Sequence, residues 1–367
     1  MSVRVTRAAP RVMLTAALAA SVLACDALDP FSRVGPQIGS GRVEWAEQGV
    51  TVAFPEDWIV REAGPETADA LEGMEWLRLD GVSALASTSP DREATCWLVA
   101  DDPTARGESG SLLRWLVLNA GAAGGWSGLE RAVVDLPAGP AVRTRLRGDE
   151  RVRTAYAYRG PSAIYSLVCT AAPAADLAEP WLPVARSIAF QRDATDSEAP
   201  VPVTRGGRIR RPSDGYALTL PEDWIVEDVD GATDAWLDDP LVPAEAAQRR
   251  TLLWAEDPSG AISFRVTDIT PTAEDAGDWV SADDATAAFY RGIERHPNVV
   301  SSATEIVNLP AGRSGHNTSV HADGDVYDDF YLTDTSSWYR LRCAWSSDLP
   351  DVCRAVAESF EFLPREE

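Results

Sequence analysis

Hydrophobic and polar residues alternate in two stretches of the chain that also share their sequence. At 50–54 and again at 216–220, every second residue is a large apolar one, and each stretch runs into Pro-Glu-Asp-Trp-Ile-Val. A period of two predicts a half-buried β-strand. We expect Pro55 and Pro221 to end these strands, because proline cannot donate the ladder hydrogen bond.

The same succession of elements is predicted after each of these strands. Strands cluster in the middle of each half and helices toward its ends, which favours an α+β fold with an antiparallel sheet flanked by helices over a βαβ fold. Each half is expected to contain a second strand (96–100 and 252–255) and a helix (111–120 and 283–295). A hairpin after Leu-Pro-Ala-Gly (136–139 and 309–312) follows, and a closing helix runs through Ala185 or Ala357.

Four blocks of sequence recur in one order, which makes the chain a tandem repeat of domain length. A stretch rich in Pro, Gly and acid at 193–208 is predicted to be a linker, so repeat 1 is 42–192 and repeat 2 is 209–367. We expect each repeat to fold alone. The matching blocks are 49–60 with 215–226, 133–139 with 306–312, 165–169 with 339–343, and 185–190 with 357–362.

The first 24 residues are predicted to be a secretory signal peptide. Three arginines precede an apolar stretch at 12–24, which is too short to cross a hydrocarbon core of about 30 Å as a helix. Val22-Leu-Ala-Cys25 resembles the lipobox of bacterial lipoproteins. The resemblance implies that Cys25 is lipidated, that 25–41 is a tether, and that the protein sits on the extracytoplasmic face of the cell membrane. A simple signal peptide with a chance cysteine is the alternative.

The repeats resemble PsbP-like domains. The resemblance rests on the Gly, the alternating strand and Pro-Glu-Asp-Trp that open each repeat, and on Ser359-Phe-Glu-Phe362 at the end of the second. It implies two tandem α+β domains, each an antiparallel sheet flanked by helices, that act as binding or assembly subunits. The photosynthetic members of this family assist a manganese site, but no motif in this sequence indicates that role.

Composition restricts the partners. A net charge of -24 argues against nucleic acid, whose phosphates would be repelled, and a hydrophobic share of 45% is that of a globular protein. All 33 basic residues are arginine, so lysine chemistry, such as a Schiff base, is excluded.

Four cysteines remain once Cys25 is set aside, and an oxidising compartment favours disulfides. Cys169 and Cys343 hold the same place in the two repeats. Their partners do not, because we align Cys96 with Thr251 and Cys353 with Trp181. We therefore predict the disulfides Cys96–Cys169 and Cys343–Cys353. No pair has the spacing of a zinc site.

Candidate catalytic groups are few. Glu56-Asp57 and Glu222-Asp223 are interpreted as turn residues after a strand rather than as catalytic dyads. His296, His316 and His321 lie in repeat 2 alone, so a Ser-His-Asp triad would have no counterpart in repeat 1. The aspartates at 323, 325, 328 and 329 fail the EF-hand spacing. We predict no catalytic residue, no metal and no cofactor.

The strongest candidate site is a row of arginines on the predicted hairpin of repeat 1: Arg143, Arg145, Arg147, Arg151 and Arg153. Period two puts the first three on one strand face, and guanidinium groups match carboxylates and phosphates. The row is predicted to dock an anionic envelope or protein partner, with the acidic hairpin of repeat 2 as one option. A solvated sheet face is the alternative. The expected function is a non-catalytic binding or assembly module; an envelope-associated hydrolase is the rival hypothesis.

Overall fold

The fold is predominantly β, so the predicted α+β class with helices flanking the sheets is wrong. In the computed structural model, 68% of the described residues are strand and 10% are helix. The described residues are 37–63, 83–91, 93–102, 112–113, 116, 127–148, 151–160, 163–172, 181–191, 203–229, 250–270, 298–322, 324–334, 337–345 and 350–364. The helix predicted at 283–295 lies outside them, and of the one predicted at 111–120 they include three helical residues.

The strands β1–β20 and the helices α1 and α2 follow in chain order. Repeat 1 contains β1 (Gln37–Gly39), β2 (Arg42–Trp45), β3 (Val50–Ala53), β4 (Ile59–Ala63), β5 (Ser83–Thr88), β6 (Ala94–Asp101), β7 (Ser127–Leu136), β8 (Gly139–Arg147), β9 (Val152–Arg159), β10 (Ile164–Ala171), α1 (Leu182–Ser187) and β11 (Ala189–Phe190). Repeat 2 contains β12 (Val203–Arg211), β13 (Tyr216–Asp228), β14 (Arg250–Glu256), β15 (Ile262–Asp268), β16 (Val299–Leu309), β17 (Gly312–His321), β18 (Val326–Thr333), β19 (Trp338–Trp345), α2 (Pro350–Glu358) and β20 (Glu361–Phe362). Strand β12 begins inside the predicted linker, and β1 lies inside the predicted tether.

The strands form three antiparallel sheets, and the two large sheets share one strand order. Repeat 1 has the order β1-β4-β5-β6-β10-β9-β8-β7, with a separate small sheet β11-β3-β2. Repeat 2 has the order β12-β13-β14-β15-β19-β18-β17-β16, with β20 paired to β13. Strand β7 is therefore the counterpart of β16, and β4 is the counterpart of the C-terminal part of β13.

A local hydrogen bond shows how closely the two repeats agree in detail. The amide of Ala53 donates to Ser187 Oγ at 2.7 Å, and the amide of Thr219 donates to Ser359 Oγ at 2.8 Å. Both serines end the closing helix of their repeat and tie it to the opening strand. The sequence match of these blocks thus reflects the same packing of helix against strand.

The predicted alignment of the second strands is wrong by one strand. Residues 96–100 belong to β6, whose counterpart by sheet order is β15, whereas 252–255 belong to β14, the counterpart of β5. Strand β5 escapes prediction because its residues, Ser-Ala-Leu-Ala-Ser-Thr, are small and buried on both faces, which removes the alternation that marks a half-buried strand.

Pro55 ends its strand as predicted, but Pro221 does not. Strand β13 continues through Pro221 to Asp228. Its pairing with β12 shifts register between Arg205 and Gly207, and a Cβ atom on Gly206 would lie 1.7 Å from the Pro221 carbonyl oxygen. A bulge next to a glycine therefore accommodates the proline inside a paired strand.

Each large sheet has a core of its own on one face. In repeat 1 the small sheet and α1 cover this face, where Trp58 and Trp181 meet edge to face with ring centroids 5.7 Å apart. In repeat 2, α2 and β20 cover it, and Trp224 is buried there.

The opposite faces of the two large sheets share a further core, which we call the shared cluster. From repeat 1 it contains the helical Leu112, Leu113 and Leu116 and the strand residues Val99, Val133 and Val142; from repeat 2 it contains Val203, Ile225, Val229 and Trp254. All of them are less than a tenth exposed. This packing argues against the expectation that each repeat folds alone, because either half by itself would expose its side of the cluster to water.

Candidate functional site

The arginine row divides between the two faces of its sheet. Arg143, Arg145 and Arg147 lie on one face of β8, opposite Tyr156, Thr154 and Val152 of β9. The register puts Arg153 on the other face, opposite Leu146. The row of three predicted from the alternation is therefore present.

The environments of these arginines differ. Arg143 and Arg145 are half-buried, whereas Arg147 and Arg151 are exposed. Arg153 is 6% exposed, and burial lowers its pKa to about 10. Arg153 is therefore a buried structural residue, and the surface that can meet a partner consists of the row on β8 with Arg151 at the hairpin.

Repeat 2 has a hydrogen-bonded histidine, His316, where repeat 1 has this row. The matched blocks make His316 and Thr318 the counterparts of Arg143 and Arg145. His316 Nδ1 lies 3.0 Å from Glu305 Oε1, and Nε2 lies 3.0 Å from Asp328 Oδ1. Thr318 Oγ1 donates to the same Asp328 oxygen at 2.6 Å, so one carboxylate ties the two side chains together.

The ring of His316 is fixed by contacts on its face and at both nitrogens. It stacks on Phe330 with centroids 4.4 Å apart. Burial lowers the pKa of His316, but the hydrogen bonds with Asp328 and Glu305 outweigh burial, and the net pKa is raised. With a carboxylate at each ring nitrogen the imidazolium form is favoured, and that form has no lone pair for a general base.

Two aspartates of the acidic hairpin of repeat 2 are buried and bonded within that repeat. Asp329 is fully buried and accepts bidentate hydrogen bonds of 2.8–3.1 Å from Arg340 and Arg342 of β19. Asp328 binds His316, and Asp323 lies outside the described residues. Both buried aspartates therefore have their partners inside repeat 2.

Both predicted disulfides are present, one in each repeat. Cys96 and Cys169 face each other across β6 and β10, with Cα atoms 4.1 Å apart. Cys343 on β19 is joined to Cys353 on α2, with Cα atoms 5.8 Å apart. The first disulfide links two strands, whereas the second fixes the closing helix to its sheet. All four cysteines are fully buried.

The other sequence candidates are structural where they can be described. Glu56 and Asp57 are exposed in the turn after β3, as predicted, whereas Glu222 and Asp223 lie within β13. Cys25 and His296 lie outside the described residues. The described ranges hold no group of three or more His, Cys, Asp or Glu residues placed to bind a metal ion. Among the same residues, no helix is long and apolar enough to span a membrane.

No pattern in the sequence indicates the charged contacts that join the two repeats. Arg131 of β7 forms an ion pair with Glu256 of β14, and each side chain is 2% exposed. Burial raises the pKa of Glu256 to about 7, although Arg131 acts to lower it. Since these residues are 125 positions apart, no local pattern could have paired them.

A second charged contact crosses between the repeats at Glu227 of β13. Its carboxylate accepts the backbone amides of Leu112 and Leu113 at 2.6 and 2.9 Å, and Arg159 Nη1 lies 3.2 Å away. Glu227 is fully buried, so it satisfies free amides at a helical turn of repeat 1 from within repeat 2. We call the shared cluster and these two charged contacts the seam.

Comparisons with known proteins add a description of the fold's neighbours. No family model and no curated protein matches the chain. Among solved structures it is similar to cyanobacterial PsbP (CyanoP) from Synechocystis sp. PCC 6803, at 17% identity over 45% of this chain and 97% of that one, with a TM-score of 0.29. It is also similar to TP0453, at 10% identity over 90% of this chain and 98% of that one, with a TM-score of 0.22. A third similar structure is the MucA/MucB complex of Pseudomonas aeruginosa, at 10% identity over 85% of this chain and 89% of that one, with a TM-score of 0.18.

Proposed function

We propose that the protein is a membrane-anchored extracytoplasmic lipoprotein whose two PsbP-like repeats form a non-catalytic binding module for an anionic partner. The anchor rests on the lipobox-like Val22-Leu-Ala-Cys25. The two buried disulfides support an oxidising compartment. One observation carries the binding function: the arginine row on β8 stands where repeat 2 has its carboxylate-bound His316.

The residues at these equivalent positions favour the row as the binding surface. In repeat 2 the position of Arg143 is held by His316, which lies between Glu305 and Asp328. In repeat 1, Arg145 has Thr154 as its neighbour on β9 and Glu130 as its neighbour on β7. Arg147 is exposed beyond them. Guanidinium groups on one strand face can present paired donors to phosphates or carboxylates.

The proposal is tested on vesicles with a chain that lacks the acyl anchor. Cys25→Ala in the full chain removes lipid insertion, so that vesicle binding reports on the protein surface. In cells, the same variant should leave the membrane fraction, because no acyl chain then holds it. Retention of Cys25→Ala in that fraction would contradict the anchor.

In the Cys25→Ala chain, Arg143, Arg145 and Arg147 are changed to Ser, and binding to anionic and zwitterionic phospholipid vesicles is measured over a salt series. We expect the parent to bind anionic vesicles with an affinity that falls as salt rises, and the triple variant to lose most of that binding, at about 1 kcal/mol per arginine. The control triple variant carries Arg42→Ser, Arg186→Ser and Arg210→Ser, which removes the same charge from other exposed positions. Equal losses in both variants, or no binding by the parent, would contradict the row as an anionic-lipid site.

A further inference from the structure

Strand β7 is the edge of the large sheet in repeat 1, and repeat 2 covers it. The amide of Arg131 donates out of the sheet to the carbonyl of Pro258 at 2.8 Å. Arg205 Nη2 donates to the outward carbonyl of Val133 at 3.2 Å. Val133 packs in the shared cluster with Ile225. The chain thus contains one complete example of a contact in which an edge strand of one repeat meets the opening strands of another.

Because the chain holds two repeats, each half of this contact has a counterpart elsewhere. On the edge side, the match of 133–139 with 306–312 makes Ile306 of β16 the counterpart of Val133. On the opposing side, the match of 49–60 with 215–226 makes Ile59 of β4 the counterpart of Ile225. Ala63, on the same face of β4 as Ile59, belongs to the shared cluster, but Ile59 and Ile306 do not. Repeat 2 therefore offers an edge, and repeat 1 the outer part of an opposing face, that the seam leaves open.

The exposed apolar residues fall on these two unused halves. Four large hydrophobic residues are exposed among those that the structure describes: Val300 (70%), Ile306 (46%), Ile38 (41%) and Ile59 (38%). Val300 and Ile306 belong to β16, Ile59 to β4, and Ile38 to β1, which pairs with β4. Val133, the counterpart of Ile306, is 6% exposed, and Ile225, the counterpart of Ile59, is 0% exposed.

Strand β16 also has the character of an edge that accepts another chain. Residues 300–306 are all exposed, and Glu305 is their single charge. Native proteins usually protect long edge strands with charges, proline or a covering segment. Among the described residues, no strand pairs with the outer side of β16. A partner can therefore bond to the backbone on this outer side, as Pro258 and Arg205 bond to Arg131 and Val133 of β7.

The unused halves carry charges at Glu305 of β16 and at Arg61 of β4, the counterpart of Glu227, but none at the positions of the buried ion pair of the seam. The counterpart of Arg131 is Thr304. Glu256 lies opposite Ile225 on the neighbouring strand, and Thr88 lies opposite Ile59 in the same way, so Thr88 is the counterpart of Glu256. Two threonines thus take the place of the buried ion pair of the seam. An uncharged pair can be buried without the desolvation cost of separated ions.

We propose that β16 of one molecule docks on the β1–β4 face of a second copy, in the manner of the seam. Such a contact is heterologous, because it joins two different surfaces and leaves one of each free. Copies would therefore associate head to tail. A contact between two β16 edges would be isologous and would stop at a dimer.

The test separates these geometries by mixing variants of the full chain that also carry Cys25→Ala. Ile306→Lys spoils the edge, and Ile59→Lys spoils the opposing face. Sedimentation velocity over a concentration series should show association for the parent and a dissociation constant raised about tenfold or more for each variant. An equimolar mixture of the two variants keeps one intact edge and one intact face, so it should form a dimer. Ala189→Lys, an exposed position on β11, should associate like the parent.

Three results would overturn the proposal. A parent that stays monomeric across the series removes the interface altogether. Association of Ile59→Lys at parental strength shows that β16 pairs with itself. A mixture that remains monomeric shows that the two surfaces do not meet. Circular dichroism of each variant confirms that a loss of association does not come from unfolding.

Discussion

Strand β7 of repeat 1 and strand β16 of repeat 2 hold the same edge position in sheets of the same order, yet their surroundings differ. Most of β7 from Arg131 onward is buried or half-buried, whereas 300–306 of β16 are exposed. A buried arginine on β7 corresponds to an exposed threonine on β16. The comparison shows that the fold supplies the edge, and that a few side chains decide whether it becomes an internal joint or an outer surface.

The largest effect is expected from breaking the joint at its buried ion pair. Glu256→Ala leaves the guanidinium of Arg131 buried without its carboxylate, which should cost about 3–5 kcal/mol of unfolding free energy. Urea unfolding at pH 8, where Glu256 is ionised, measures this loss. The matched control is Arg354→Ala on α2, which removes an exposed ion pair with Glu358 and should cost about 0.5 kcal/mol or less. Similar losses in the two variants would show that the seam contributes little to stability.

A smaller effect, in the pH dependence of stability, sharpens the same comparison. The pKa of Glu256 is raised from 4.5 to about 7 by burial, so between these values the folded state binds more protons than the unfolded state. The stabilisation from this group is fully present below the lower pKa and is lost as pH rises through the higher one.

Glu256→Gln removes this titration. The variant should therefore lose less stability than the parent as pH rises through that window, as measured from urea midpoints at several pH values. Glu47→Gln, at an exposed position, should follow the parent. If the parent and Glu256→Gln have parallel pH profiles, the carboxyl group of Glu256 does not titrate in this window.

The sequence predicted those features that depend on local or repeated patterns. The repeat blocks identify equivalent positions, and these predict both disulfides even though the alignment puts the strand containing Cys96 one strand out of place. The disulfides are unaffected because Cys169 and Cys343 match independently, within a block of their own. Alternation also placed Arg143, Arg145 and Arg147 on one face, since side chains of a regular strand alternate between faces.

The remaining features depend on contacts between distant segments. The burial of β5 on both faces hides its strand pattern, and the bulge opposite Pro221 is set by Gly206 on another strand. The seam pairs Arg131 with Glu256 and Glu227 with the amides of Leu112 and Leu113. In the sequence these are ordinary charged residues, and only the packing of one repeat on the other gives them a role.

The most direct test of the seam is the cooperativity of unfolding, measured by differential scanning calorimetry of the full chain with its disulfides intact. The shared cluster predicts one transition, with a calorimetric enthalpy equal to the van't Hoff enthalpy, because each repeat exposes its side of the cluster to water when the other unfolds. Glu256→Ala should lower the midpoint of that transition or begin to divide it. Two independent transitions in the parent, unchanged by Glu256→Ala, would contradict the shared core.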